Sequence, residues 1–383
     1  MSSAYRFSWL PAGTHTTARP LIAARALRAF ADGYVSLLLP FYLTLLGFDA
    51  FEVGLLVTST LLGSGIMTLS IGFVAHRYSA RKMLLAASLL MIATGFAFSF
   101  VTDFWPLLLI AFFGTLNPSS GDVSVFLPLE QSLLAEAAPA ESRTALFARY
   151  SLAGSLIGAL GAQSAVLPGL AATYLSLTPR TAMQAMFWLY AALGLVVMML
   201  YRPLNRASVP HDTATAQPLR ESRGIVYRMA ALFSMDAFGG GFAVQSLFAL
   251  WLAQRFDVSL ATAGTIFFWV GLFSAFSQLL SAKIAQRIGL VNTMVYTHIP
   301  SSVFLIMVPF MPTLTLAVVF LLLRSALSQM DVPARTSYVM AVVSPAERAA
   351  AASVTAVPRS LASAASPSLA GYLLSLSSFG TPL

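Results

Sequence analysis

The chain has 383 residues, of which 58% are hydrophobic and 9% charged, with a formal net charge of +8 and no cysteine. Soluble globular proteins carry about 25% charged residues, so this composition excludes an ordinary soluble enzyme, and the lack of thiols excludes a disulfide framework and any thiolate metal site. The positive charge does not point to nucleic acid, because the basic residues fall in short stretches between long apolar runs, as in a polytopic membrane protein.

Residues 1–20 have no apolar core followed by a small-residue cleavage site, so they are read as a segment preceding the first span rather than as a removable signal. Apolar stretches of membrane-crossing length then predict helices near 21–46, 52–75, 82–101, 104–134, 144–168 and 181–202. The polar stretch 203–224, rich in Pro, Thr and charge, is predicted as a connector. Five further helices are predicted near 225–252, 258–282, 290–309, 313–342 and 349–376. The expected organisation is an all-α chain with a six-helix half over 21–202 and a second half over 225–383.

Arg6, Arg19, Arg77, Arg81, Lys82, Arg143, Arg202 and Lys283 collect on one side of these spans, while the other side holds little more than Arg180 and Arg255 beside several carboxylates. That asymmetry predicts a cytoplasmic N-terminus, with the chain in a bacterial inner membrane. The halves look like copies. Asp32 in the first span answers Asp236 in the seventh, and "PAESRTA" answers "PAERAAA". The repeat is parallel, related by an axis along the membrane normal. By this repeat the sixth span has its partner beyond residue 383, where a twelfth helix is expected.

The loop after the second span reads "GFVAHRYSARKMLL", with Gly72, His76, Arg77, Ser79, Arg81 and Lys82 at the positions of interest. It resembles the signature of the major facilitator superfamily, and the resemblance implies a two-half transporter fold with this loop as the cytoplasmic gate. His76 stands where the family usually has Asp and Ser79 where it has Gly, which alters the charge relay and brings in a side chain that titrates near neutrality. In the fifth span Gly154, Gly158 and Gly161 resemble the family's antiporter motif, with Ala159 in place of its Pro and Ala162 in place of its last Gly. Small residues at this spacing also serve ordinary close helix packing. The family's Arg motif in the fourth span is absent, since no Arg lies between Lys82 and Arg143; the similarity is to drug and proton antiporter-like members with degenerate motifs.

Ionisable side chains inside spans are functional candidates by default. Asp32 lies one turn after Arg28, so the two are expected to pair on one face. Asp236 precedes three consecutive glycines that loosen its helix. The fourth span carries Pro118, Gly121 and Pro128 and is expected to be broken, with Asn117, Asp122 and Glu130 lining an interior surface. Glu130 reads equally well as a salt-bridge partner on the cytoplasmic side. Asp32, Asp236 and Asp122 are the proton-coupling candidates. Arg324, Asp331 and Arg335 share a stripe of the tenth span, and a carboxylate so placed between arginines is a poor proton carrier. Arg149 and Arg359 either pair across helices or attract an anionic solute. Tyr34, Phe238 and Gln245 are candidates for an amphipathic cavity, although aromatic side chains in spans more often pack or face lipid. Met235 and His298 are too scattered for a soft metal site, and neither metal nor cofactor is expected.

The expected function is proton-coupled secondary transport, with export of small amphipathic organic compounds favoured by the helix-five glycines and the resemblance. Partners are then a small-molecule solute, protons and membrane lipids, with no nucleic acid, and the chain is expected to act as a monomer. The alternatives are an importer or facilitator of organic anions, drawn by the arginines, and a non-transporting membrane receptor. No nucleophile motif supports hydrolysis and no phosphate-binding loop supports a nucleotide-driven pump.

Overall fold

The computed structural model describes residues 10–11, 13–74, 78–119, 124–204, 220–343 and 347–376, and these are helical apart from short connections, with no strand among them. The first half comprises α1 (Ala18–Leu45), α2 (Ala50–Val74), α3 (Ala80–Phe100), α4 (Phe104–Phe113), α5 (Leu127–Glu136), α6 (Ala140–Gln163), α7 (Leu167–Tyr174) and α8 (Pro179–Tyr201). The second comprises α9 (Arg223–Phe242), α10 (Gln245–Phe256), α11 (Leu260–Ile288), α12 (Leu290–Met307), α13 (Leu314–Ser328), α14 (Asp331–Val342) and α15 (Arg348–Leu376). The pairs α4–α5, α6–α7, α9–α10 and α13–α14 each make one interrupted rod, giving eleven rods among the described residues.

Six stretches are long and apolar enough to cross a bilayer unaided. The other five fall short for visible reasons: α1 carries Arg19, Arg25, Arg28 and Asp32, the fourth, seventh and tenth rods are broken, and α15 carries Arg348 and Arg359 among many Ala and Ser residues. Leu89, Phe100, Trp105 and Phe276 are among the large apolar side chains exposed on the outer surface, a covering that lipid rather than water satisfies. The chain is an integral membrane protein.

The breaks follow from the backbone. In the fourth rod α4 ends at Phe113 and α5 restarts at Leu127, with Pro128 in its first turn. Asp122 lies in the intervening stretch, outside the described residues, as do His76 and Arg77. The seventh rod stops at Phe242, directly after Gly239–Gly241, which hold a helix poorly. The tenth span, expected as one helix over 313–342, stops at Ser328 and restarts at Asp331. Pro333 has no N–H to give back to Gln329 but is tolerated in the first turn of a new helix. At the other ends, Asp49 and Glu52 form a reciprocal capping box at the start of α2, at 2.9 and 2.8 Å, and Thr178, Ser259 and Thr313 cap α8, α11 and α13.

The face from which α1, α3 and α6 start is called here the N-terminal face, and the opposite one the far face. Within the first half α6 crosses α1 so closely that a Cβ on Gly33 would stand 2.1 Å from the Gly158 oxygen, and one on Gly161 would stand 2.1 Å from the Phe30 oxygen. Between the halves α2 crosses α15, where a Cβ on Gly371 would stand 2.4 Å from the Ala50 oxygen, and Gly264 of α11 meets Ala162 of α6. These crossings lie toward the far face. On the N-terminal face α5 packs on α1, α3 and α6, while α9 packs on α15 and α14 packs on α12, α11 and α15. Among the described residues, the crossings between the halves named here thus lie toward the far face, while the contacts named at the N-terminal face are made within each half.

Glu347, buried just ahead of α15, ties the incoming chain to the second half by accepting the backbone N–H groups of Arg220, Glu221 and Ser222 at 2.7, 2.9 and 2.9 Å. Those donors, Arg220 and Ser222 foremost, hold its carboxyl well below the ordinary glutamate range, at about 2. A group whose folded pKa is depressed contributes stability above its unfolded pKa and loses it as pH falls through the folded value. The clamp is therefore intact from about pH 5 upward. Glu347→Ala is expected to speed tryptic cleavage after Arg220 and Arg223 several-fold at pH 8, with the remaining helices still resistant.

Candidate functional site

In the first half, α1 and the two pieces of the fourth rod converge on Arg28, Asp32, Asn117 and Glu130. The expected Arg28–Asp32 pair does not form. The Arg28 guanidinium pairs instead with Glu130, and both side chains are 3% exposed or less. The rotation of α1 turns Arg28 toward α5, where the Phe126 ring lies 4.2 Å from the guanidinium carbon. Tyr150 of α6 and Tyr201 of α8 both donate their hydroxyls to the same carboxylate. Sequence reasoning missed both tyrosines. Four rods are fastened at one buried carboxylate, and Glu130 is thereby a salt-bridge partner rather than a lining group.

Asp32 is 7% exposed and sits about 20 Å along α1 from its start, near mid-bundle. Its partner is the Asn117 amide, from the irregular stretch after α4. Among the described residues no basic group lies within 4 Å of it; Arg28 and Arg25 reach it only through their field. Tyr34, two residues further along α1, is fully buried and donates to the Met186 carbonyl at 3.1 Å, so it ties α1 to α8.

The second half gathers a different cluster. Asp236 of α9 meets the His298 Nε2 at 3.0 Å and Arg335 at 3.2 Å. His298 turns its Nδ1 to Asp331 at 3.5 Å, and Asp331 is itself paired with Arg335 one turn on. The expectation that Asp236 lies in a less basic setting is corrected: it has two basic partners, and Arg359 of α15 adds to the field around it. His298 was passed over, although it is the one acidic or basic residue of the ninth span and lies two residues before Pro300. Phe238, partly exposed, stacks edge-on with Phe242 at 5.3 Å beside this cluster, and Gly239 and Gly240 face open space. Arg324 does not join the stripe, because the break at Gln329 and Met330 separates it from Asp331 and Arg335; no ion pair within 4 Å involves it among the described residues.

The fourth-rod ends of the two clusters are related by the repeat with charge exchanged, whereas Asp236 matches Asp32 and the repeat position of Arg28 is Leu232. "LPLEQS" and "VPARTS" put Glu130 and Arg335 at equivalent positions. The first and fourth rods of each half are thus joined by an ion pair, Arg28–Glu130 in one and Asp236–Arg335 in the other. Each arginine also covers a ring, Phe126 or Phe233. The second pair is the less buried of the two, Asp236 being 31% exposed and Glu130 0%.

At the far end of that space the two irregular stretches touch. Gln245 donates to the Ser36 hydroxyl at 2.9 Å, and the Ser246 N–H donates to the Pro118 carbonyl at 3.2 Å. Gln245 therefore latches the halves together. Gly154 packs on the Arg25 guanidinium and Gly158 and Gly161 on the α1 backbone, which makes them contacts inside one half. Arg149 has a buried Nη1 without a hydrogen-bond partner. Lys82 is exposed and Arg81 partly buried at the start of α3; Gly72 lies in the last turn of α2, and residues 75–77 lie outside the described residues. No group of three or more His, Asp or Glu side chains is placed to hold a metal ion among the described residues.

A family model described as Major Facilitator Superfamily matches residues 21–367. A Saccharomyces cerevisiae protein described as an uncharacterized membrane protein, YJR124C, is 26% identical over 394 residues, covering 92% of this chain and 87% of its own length. Among solved structures, a bacterial homolog of the human lysosomal transporter Spinster, in an inward-facing and unoccupied conformation, superposes with a TM-score of 0.74 at 16% identity, covering 94% of this chain and 82% of that one. The nucleoside transporter NupG superposes with a TM-score of 0.72 at 17% identity over 94% and 91% of the two chains.

Proposed function

The chain belongs to the Major Facilitator Superfamily, and from that premise we propose that it is a proton-coupled secondary transporter that moves a small amphipathic organic solute by alternating access. One observation carries the reading: Asp32 is a buried carboxylate near mid-bundle with an amide partner and no ion-pair partner among the described residues. Such a group is costly to keep charged in a bilayer and is relieved by taking a proton. Its amide partner lies in the irregular stretch after α4, whose Pro118 carbonyl meets α10 of the other half, so protonation bears on the contact that joins the halves. Phe238 and Phe242 beside Asp236 offer apolar and polar surface together, which supports an amphipathic solute.

We place the N-terminal face in the cytoplasm of a cell with the protein in its plasma membrane, on the charge asymmetry of the loops. The arrangement described, joined at the far face, then faces inward, and export in exchange for protons is the direction we propose. One chain carries both halves, so a monomer suffices. Screening the purified protein by thermal shift against a broad solute panel between pH 5 and pH 8 identifies the solute. Asp32→Asn is expected to retain the solute-induced shift while its pH dependence disappears; loss of binding at every pH would remove Asp32 from the proton role.

A further inference from the structure

We propose that His298 is a second proton-binding site, distinct from Asp32, whose imidazolium pins α12 to α9 and α14 and so fixes the packing of the second half. Both ring nitrogens face carboxylates, Nε2 toward Asp236 at 3.0 Å and Nδ1 toward Asp331 at 3.5 Å. A neutral imidazole has a single N–H. In that form one carboxylate would meet a ring lone pair, and the contact would repel. Protonated on both nitrogens, the ring donates to both.

The charges agree with the geometry. Asp236 and Asp331 contribute two negative charges, Arg335 one positive and the imidazolium the other, so the four side chains balance only when His298 carries its second proton. The Arg335 side cannot make up the difference, because a guanidinium is always charged. The other charged groups of the packed elements include Arg359 of α15, which acts on Asp236 through its field, Arg324 on α13, Arg223 and Arg228 in the first turns of α9, and Lys283 and Arg287 toward the N-terminal-face end of α11. Helix α11 brings amide Gln278, bonded to Gln329 at 3.5 Å, at the level where the tenth rod breaks.

The ring has access to water. The His298 side chain is 45% exposed and Asp236 31%, so the cluster is not sealed inside the helix packing. Loss of the proton to water leaves a neutral ring, one carboxylate without its donor and a net negative charge on the cluster. Three rods then lose their common tie. The pin thus makes the packing of the second half sensitive to pH, independently of whether Asp32 carries the coupled proton.

The chain contains four histidines and no cysteine, so both readouts are accessible without transport. With His15, His76 and His211 replaced by Gln and nitrogen-15-labelled histidine in lipid nanodiscs at pH 7.0, both ring nitrogens of His298 are expected to resonate as protonated. In Asp236→Asn/Asp331→Asn one of them is expected to become unprotonated. A single neutral tautomer in the first sample, or an imidazolium that survives the double replacement, overturns the proposal. With nitroxides on Ile225→Cys of α9 and Val291→Cys of α12, both exposed, His298→Gln is expected to shift the distance distribution to longer values. An unchanged distribution overturns the pin. Neither readout depends on a solute or on Asp32, so failure here leaves the transporter reading standing, and the reverse holds equally.

Discussion

Replacing Glu130 with alanine is expected to destabilise the folded protein by about 3–5 kcal/mol, because it leaves the Arg28 charge buried without its partner. The two tyrosine hydroxyls that donate to the same carboxylate lose their acceptor as well, and a buried donor left unmade costs a further ~1–3 kcal/mol. Thermal unfolding in detergent reads the loss. Arg28→Met/Glu130→Leu is expected to recover most of it, since exchanging a whole buried pair for apolar side chains is often neutral. If the single replacement left the unfolding temperature unchanged, the cluster would not be the fastening of the first half.

Gly371→Val is expected to act on conformation rather than on folding. A side chain there would stand 2.4 Å from the Ala50 carbonyl oxygen and 2.9 Å from the Gly54 Cα, both backbone atoms that cannot swing aside. The crossing joins two halves that are each packed internally, so the strain is relieved by separating them at the far face. Overpacking of this kind costs ~1–3 kcal/mol, which changes the ratio of the two arrangements by about 5- to 150-fold at 1.4 kcal/mol per factor of ten. Nitroxides on Thr181→Cys and Gln254→Cys, exposed near the far face, are expected to move apart. Gly161→Val makes the contrast: its obstacle, the Phe30 oxygen at 2.1 Å, lies inside one half, so the expected result is lower thermal stability with no opening.

These contrasts also separate what the sequence discloses from what it withholds. Hydropathy locates the eleven rods, and Pro118 and Pro128 announce the broken fourth one, because both signals act within a few residues of the chain. Pairing acts across the bundle and depends on how each helix is rotated. Arg28 has a carboxylate one turn away at Asp32, yet its ion pair is with Glu130 on another rod. The same rotation turns Asp236 toward two basic groups, so that two aspartates in matching places of the repeat have opposite surroundings. His298 was legible by the rule applied to the aspartates, as an ionisable residue within an apolar span. Tyr150 and Tyr201 carried no such mark, since aromatic side chains are common in spans, and the glycines of α6 gave a spacing without the helix they would meet.

The most direct test of the account is solute-driven proton movement in proteoliposomes carrying a pH-sensitive dye, with the solute found by the binding screen. The wild-type chain is expected to move protons when a solute gradient is imposed. Asp32→Asn is expected to lose that movement while still exchanging labelled solute across the membrane at equal concentrations. Proton movement in Asp32→Asn equal to that of the wild type would contradict the claim that this buried carboxylate couples the two halves to the proton gradient.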